Sequence, residues 1–412
     1  MASSVIKVET VKDATASRAK TKETGSKSVR VEIVNASDLR QHEDAWWNLS
    51  DRAVAPNAFY DPWMLLPAIE SAQQDNLRFL LVSGPVDKQG IEPLWGLFPL
   101  SIESKCLHLP IRTLAFWQHR NCRLTVPLID AGHIWEVLDA FWRWFEKNPF
   151  KCRVLDTNYL AADGRFHEAW ADFAIGRTAL MLRDFPRALF VPSASSESYI
   201  SRAVSKKHSD HFLRQQRRLS ELGRLECLQV EDLAQVDAWV DQFLALEAKG
   251  WKGEGEGNAF AKNQSDAAYF RNITHEGFKR NRVVLQSLNL NGEMIAMKHN
   301  LRSQSGAFVF RITYDETYAK YSPGLLLELE NIRSACHGQG LGWMDSCTSP
   351  RHPLFNRIWS EHRMIRRTLF SNGSRLGDFW VSIIPLFRWV SSQVRPQPAA
   401  DYLQISTKGA DT

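Results

Sequence analysis

The clearest hydrophobic pattern lies in the second half of the chain. Val283 to Leu290 and Met294 to Leu301 are two apolar-rich runs joined by Asn291-Gly292, which predicts a two-residue hairpin. Phe308 to Thr313 adds a third strand of aromatic and β-branched residues. From Leu325 the period lengthens. Leu326, Leu329, Ile332 and Arg333 recur at helical spacing, Ser322-Pro323-Gly324 begins the helix, and Gly338 or Gly340 ends it. The next apolar run, Leu341 to Met344, is then a strand parallel to 308–313, because a helical crossover returns the chain in the same direction.

Upstream the same two periods alternate. Strands are expected at 28–34, 77–82, 94–100, 107–109, 111–116, 125–129 and from Val154, whose loop is Asp156-Thr157-Asn158. Helices are expected around Trp46, Trp47 and Leu49, around Trp63 to Ile69, and over 134–145 and 165–173. Pro186, Pro192 and the Ser-Ala-Ser-Ser run mark a linker over 187–198. A basic helix over 199–222 follows, with Arg202, Lys206, Lys207, Arg214, Arg217 and Arg218. Beyond it come a strand at 225–230 and helices over 233–249 and 267–279.

At 412 residues the chain exceeds the size at which one core stops growing, so two domains are expected. The divisions are a disordered leader over 1–27, an N-terminal domain over 28–186, a C-terminal domain over 199–378 and a tail over 379–412. The class is α/β, with mixed sheets flanked by helices. Charged residues at 24%, hydrophobic residues at 44% and a formal charge of +5 describe an ordinary globular chain and argue against a dedicated DNA binder. Six scattered cysteines fit buried thiols in a reducing, cytoplasmic setting better than a disulfide framework. No stretch reaches the roughly 20 apolar residues of a membrane span. Walker and Gly-x-Ser-x-Gly motifs are absent, and neither His208/His211 nor Cys336/His337/Cys347 has metal-ligand spacing.

The candidate chemistry gathers at the helix beginning Ser322-Pro323-Gly324. The strand–helix–strand order puts its N-terminus at one sheet edge, where the amides of Gly324, Leu325 and Leu326 can hold an anion, with Tyr318 and Tyr321 just before them. The N-terminal half shows no such glycine-bearing helix start and reads as a scaffold. Asp345 ends the following strand and is a candidate to orient or deprotonate an acceptor, with Asp315 and Glu247 behind it.

Tyr314-Asp315, Tyr321 to Leu326, Gly338, Asp345, Gly250-Trp251-Lys252-Gly253, and His352-Pro353-Leu354 through Trp359 resemble the GNAT-like acyltransferases grouped with the CelD/BcsL cellulose-biosynthesis proteins (BioF2-like), relatives of the FemAB aminoacyltransferases. The resemblance implies two tandem GNAT-like domains and an acetyl or other acyl group moved from coenzyme A to a small-molecule amine, such as a nucleotide sugar. It implies no permanently bound cofactor. It places Glu247, Trp251 and Lys252 at the acceptor or acyl pocket. Two departures stand out: the usual Arg/Gln-x-x-Gly-x-Gly/Ala phosphate loop is replaced by Tyr-Ser-Pro-Gly, and no tyrosine lies between Ser346 and Arg366. Two rivals remain. Aminoacyl transfer from tRNA would use the basic helix, and ranks lower because aromatic residues do not interleave with its charges. A silent partner of a polysaccharide synthase would use 379–390 as an interfacial segment.

Overall fold

The computed structural model describes residues 29–394, apart from 87, 89, 256, 339 and 351. The expected leader and the end of the tail lie outside these.

The chain lays down one sequence of elements twice. The first pass is β1 (Arg30–Val34), α1 (Glu43–Arg52), α2 (Pro62–Ala72), β2 (Leu77–Ser83), β3 (Leu94–Glu103), β4 (Thr113–Phe116), a short β5 (Leu128–Ile129), α3 (Ile134–Glu146), β6 (Val154–Ala161), α4 (Gly164–Ala174) and β7 (Ala179–Phe190). Two helices, α5 (Ser196–Ala203) and α6 (Lys206–Ser220), connect the passes. The second is β8 (Leu225–Gln229), α7 (Val236–Lys249), α8 (Gln264–Lys279), β9 (Val283–Leu290), β10 (Glu293–Ser303), β11 (Gly306–Tyr314), α9 (Pro323–His337), β12 (Trp343–Asp345), α10 (Phe355–Ile358) and β13 (Glu361–Ser371). The last helix is α11 (Arg375–Val394).

Pairing repeats as well. β1 to β4 are successively antiparallel, and β4 lies parallel to β6. β8 to β11 are successively antiparallel, and β11 lies parallel to β12. The final strands cross over: β13 pairs with β6, β7 pairs with β12, and β7 and β13 pair with each other. The result is one 13-stranded mixed sheet in the order β1-β2-β3-β4-β6-β13-β7-β12-β11-β10-β9-β8, with β5 attached to β3 and helices on its faces. This is the tandem, mixed α/β architecture expected.

Local chemistry accounts for the elements that position the site. Asn291, at φ +53°, and Gly292, at φ +88°, occupy the left-handed region a two-residue hairpin needs, so Leu290 faces Glu293 directly. In α3 the buried Ile134, Val137, Leu138, Phe141, Trp142 and Phe145 form one stripe, and Phe98, Phe116, Phe141, Trp142 and Trp170 make a continuous ring cluster against the first half of the sheet.

Several expectations are corrected. Residues 187–190, expected in a linker, complete β7, and Arg187 is fully buried. Asp156-Thr157-Asn158 is not a loop but part of β6, with Asp156 bonded to Arg367 of β13. The single basic helix over 199–222 is two, because Val204 turns into the core and Ser205 takes the extended backbone of a helix N-cap. Residues 107–109 form a tight turn, with Leu107 and His108 at positive φ. The cysteines are free thiols, as expected, but Cys227 is exposed and Cys336 only half-buried.

Candidate active site

β11 and β12 hold the key geometry. They pair only over Gly306–Trp343, Ala307–Met344 and Phe308–Asp345. Beyond Phe308 the strands part, and a cavity of about 430 Å³ opens between residues 309–314 on one side and 346–349 on the other. One edge of β11 therefore faces the cavity with its polar main chain.

α9 begins at this cavity, and Ser322, Gly324 and Leu325 line it. Ser322 adopts φ +53°, and its hydroxyl accepts from Gln215 Nε2 at 3.1 Å rather than capping the helix. The amides of Leu325 and Leu326 both donate to the Ser322 carbonyl at 3.0 and 3.1 Å, so the expected three-amide anion cradle is reduced to Gly324. A Cβ on Gly324 would meet the Tyr314 ring at 3.4 Å, which brings helix and strand within van der Waals contact here. Leu326 is buried in the core behind α9, and Tyr318 and Tyr321 lie half-buried beside the cavity without lining it.

Across the cavity the end of α7 presents Glu247, and the turn after it presents Trp251 and Lys252. Glu247 is fully buried. Its Oε2 accepts from the Phe260 amide at 2.9 Å, while Oε1 has no hydrogen bond among the described residues. Lys252 Nζ and an Arg311 guanidinium nitrogen each stand 3.7 Å from that oxygen. Lys252 also donates to the Ile312 carbonyl on the β11 edge at 2.5 Å. Burial pushes the Lys252 ammonium down to about 8, against the opposing pull of Glu247. The Trp251 amide donates to Glu316 at 2.6 Å, which fixes the turn.

His352 closes the third side. Its Nδ1 is buried with no hydrogen bond among the described residues, and burial with the nearby Lys252 charge pushes it down to about 4, so the ring is neutral. The sequence named His352 only as part of a resemblance. What distinguishes it is a place on the same cavity wall as Lys252, near enough to feel its charge, a proximity across 100 residues that no local pattern encodes.

Asp345, expected to face the acceptor, does not line the cavity. It is fully buried, accepts from Arg187 at 3.4 Å, from Arg363 at 3.4 Å and from the Cys347 amide at 2.8 Å. Arg187 in turn donates to the Arg123 carbonyl at 2.8 Å. Asp345 thus ties the mouth of the β11–β12 split to the loop following β4, and that loop brings Asn121 and Arg123 into the cavity wall. Asp315 caps the turn after β11 by accepting from the Thr317 amide.

The first half differs at the corresponding place, where the loop after β4 reaches β6 and the Thr125 amide donates to the Tyr159 carbonyl at 3.2 Å. At the start of α3, the counterpart of α9, Asp130 accepts from the Gly132 amide at 2.8 Å and from His133 Nδ1 at 2.7 Å, and pairs with Arg52. Trp95 stacks on His133 at 3.7 Å.

Among the described residues no helix is long and apolar enough to cross a membrane, and no cluster of three or more His, Cys, Asp or Glu is placed to hold a metal. No curated protein matches the sequence. A conserved protein of unknown function from Bacteroides thetaiotaomicron has a similar structure, at 10% identity and TM-score 0.52, over 84% of this chain and 100% of that one. FemX is similar at 8% identity and TM-score 0.51, over 88% and 99%. These likenesses concern the fold. Residues 206–352, from α6 through both strands of the split to His352, match the family model of the acetyltransferase (GNAT) domain.

Proposed function

We propose that the chain is an N-acyltransferase that moves an acetyl or longer acyl group from coenzyme A to an amine, with a precursor of a polysaccharide or cell-envelope polymer as the acceptor. The observation that carries the reading is the unpaired β11 edge facing a cavity with Glu247, Lys252 and His352. A thioester arm rich in amides suits a bare strand edge, and the start of α9 at Gly324 lies where its phosphates would approach. With two of the three amides engaged internally, more of the phosphate charge falls to side chains, and basic groups stand close by: Lys320 in the turn before α9, Arg357 on the cavity wall, and those of α6, which packs on that turn through the bond from Gln215 to the Lys320 carbonyl at 3.2 Å.

The chemistry balances over two side chains. As the acceptor nitrogen forms its bond to the thioester carbon, its proton passes to Glu247 Oε1, the oxygen without a hydrogen bond. The carbon–sulfur bond breaks, and Lys252 gives a proton to the departing thiolate. With the ammonium near 8 and a thiol near 8.5 the transfer is almost level in energy. Glu247 then returns its proton to Lys252, whose nitrogen is 3.7 Å away.

Calorimetry with acetyl-CoA and longer acyl-CoAs tests the donor half: binding should be weakened about tenfold or more by Gly324→Asp, which adds bulk against Tyr314 and a negative charge at the helix start. Absence of heat from every acyl-CoA at millimolar concentration would refute the reading. The proton assignments predict that kcat/KM falls as pH rises through about 8, as Lys252 loses its proton. A flat profile across that range would remove Lys252 from the scheme.

A further inference from the structure

We infer that the acceptor carries an oxyanion, a carboxylate or a phosphate, close to its amine, and that Arg123 of the first half and Arg311 of the second bind it. Calling the bound molecule an acceptor rests on the acyl-transfer reading; the oxyanion site itself does not.

Charge on the cavity wall is unbalanced. Four cations line it (Arg123, Lys252, Arg311, Arg357) against two carboxylates (Glu247, Glu316). Glu316 and Arg357 are both exposed, and Glu316 is occupied by the Trp251 amide, so neither weighs much on the charge inside. Inside, Glu247 is the carboxylate within ion-pair distance of Lys252 and Arg311, and Asp266, itself paired with Arg120, acts on Arg311 from farther off. Arg123 has no carboxylate within ion-pair distance among the described residues. Its guanidinium donates only to the main-chain carbonyls of Arg120 and Cys122, at 3.2 and 3.3 Å. Carbonyl contacts of that length leave most of its charge unanswered.

The two arginines are also held in place. Arg311 lies with its guanidinium 4.5 Å over the Phe260 ring and bonds the Asn258 side chain and carbonyl at 3.3 Å. The Arg123 main chain is gripped by Arg187, itself fixed by Asp345, and the neighbouring carbonyls of Leu124 and Val126 accept from buried Asn57 at 3.1 and 2.7 Å. A guanidinium on an anchored backbone, facing a cavity and lacking a carboxylate, is a preorganised site for a planar or tetrahedral oxyanion. Glu247 Oε1, buried and without a hydrogen bond, supplies the complementary place for the amine, 3.7 Å from Arg311. Opposite charges that close together on the wall select a ligand with both groups a few bonds apart.

The test is calorimetric binding of matched pairs to the full chain: glucosamine 6-phosphate against glucosamine, and alanine against alaninamide. Wild-type protein should bind at least one oxyanion-bearing member about 10- to 100-fold more tightly than its neutral partner, as expected of a charge-assisted bidentate contact. The pair that shows the difference separates phosphate from carboxylate. Arg123→Gln should cut that difference by about tenfold, Arg311 holding the remainder, and leave the neutral partner's affinity within about twofold, and Arg123→Lys should restore part of it. Equal binding of both members in each pair, no binding of either oxyanion-bearing amine at millimolar concentration, or an Arg123→Gln variant that keeps the preference undiminished would overturn the assignment. Acetyl-CoA binding, measured separately, reports on the transfer reading: its loss with the oxyanion preference intact would sink that reading and leave this one standing.

Discussion

Replacing Glu247 with glutamine lowers turnover by about 10²- to 10⁴-fold, the range lost when a positioned proton acceptor is removed. Glutamine keeps the shape and can still accept the Phe260 amide now bonded to Oε2, so the local main chain is retained. It cannot take the acceptor's proton. The same change leaves Lys252 and Arg311 without the charge that faces them. Since Glu247 is the group that holds the Lys252 ammonium up against burial, its loss moves the alkaline limb of the pH profile below 8. Steady-state release of coenzyme A against pH measures both effects on one variant. A purely structural role for Glu247 would reduce the rate through partial unfolding without moving that limb, and an unmoved limb at near-normal turnover would exclude Glu247 from the proton path.

The part of this site that was legible in the sequence is the part encoded locally. Asn291-Gly292 can only be a tight turn between two apolar runs, and it fixes β9 and β10. The helical spacing of Leu326, Leu329 and Ile332 behind Ser-Pro-Gly fixes α9, and from those follows the parallel β12. Contacts between distant segments were not legible. Asp345 reads as an exposed acid at a strand end until Arg187, 158 positions away, and Arg363 are seen to enclose it. β7 escapes because Pro186 reads as a break. The proline is tolerated since β12 pairs only with Leu189 and Phe190, which leaves the strand at Pro186 with β13 as its one neighbour. β13 escapes because Glu361, His362, Arg363, Arg366 and Arg367 mask its alternation; Arg363 and Arg367 are drawn inside by Asp163, Asp345 and Asp156. The scaffold role expected for the first half needs the same amendment. Its loop at Asn121 and Arg123 forms part of the cavity wall of the second half.

The largest stability effect is expected away from the cavity, beneath α9. Lys298 on β10 and Glu328 on α9 are both fully buried and bonded to each other; Asn331 donates to Glu328 at 2.9 Å and accepts from Asn300 at 3.0 Å. Burial drives the Lys298 ammonium below its ordinary value, and Glu328 opposes that shift. Either Lys298→Met or Glu328→Leu strands the opposite charge in the core and should cost about 3–5 kcal/mol in chemical denaturation. The double variant strands neither, and should fall within about 1 kcal/mol of wild type or exceed it. Additive losses in the double variant would mean that the pair is not coupled. The two-residue cycle also separates stability from function. Glu328 sits one helical turn beyond Gly324, so the pair sets the rotation of α9 about its axis and with it the aim of the Gly324 amide. The double variant, though stably folded, should therefore bind acetyl-CoA more weakly than wild type, and unchanged affinity would show that packing by Leu325, Leu327 and Ile332 alone orients the helix.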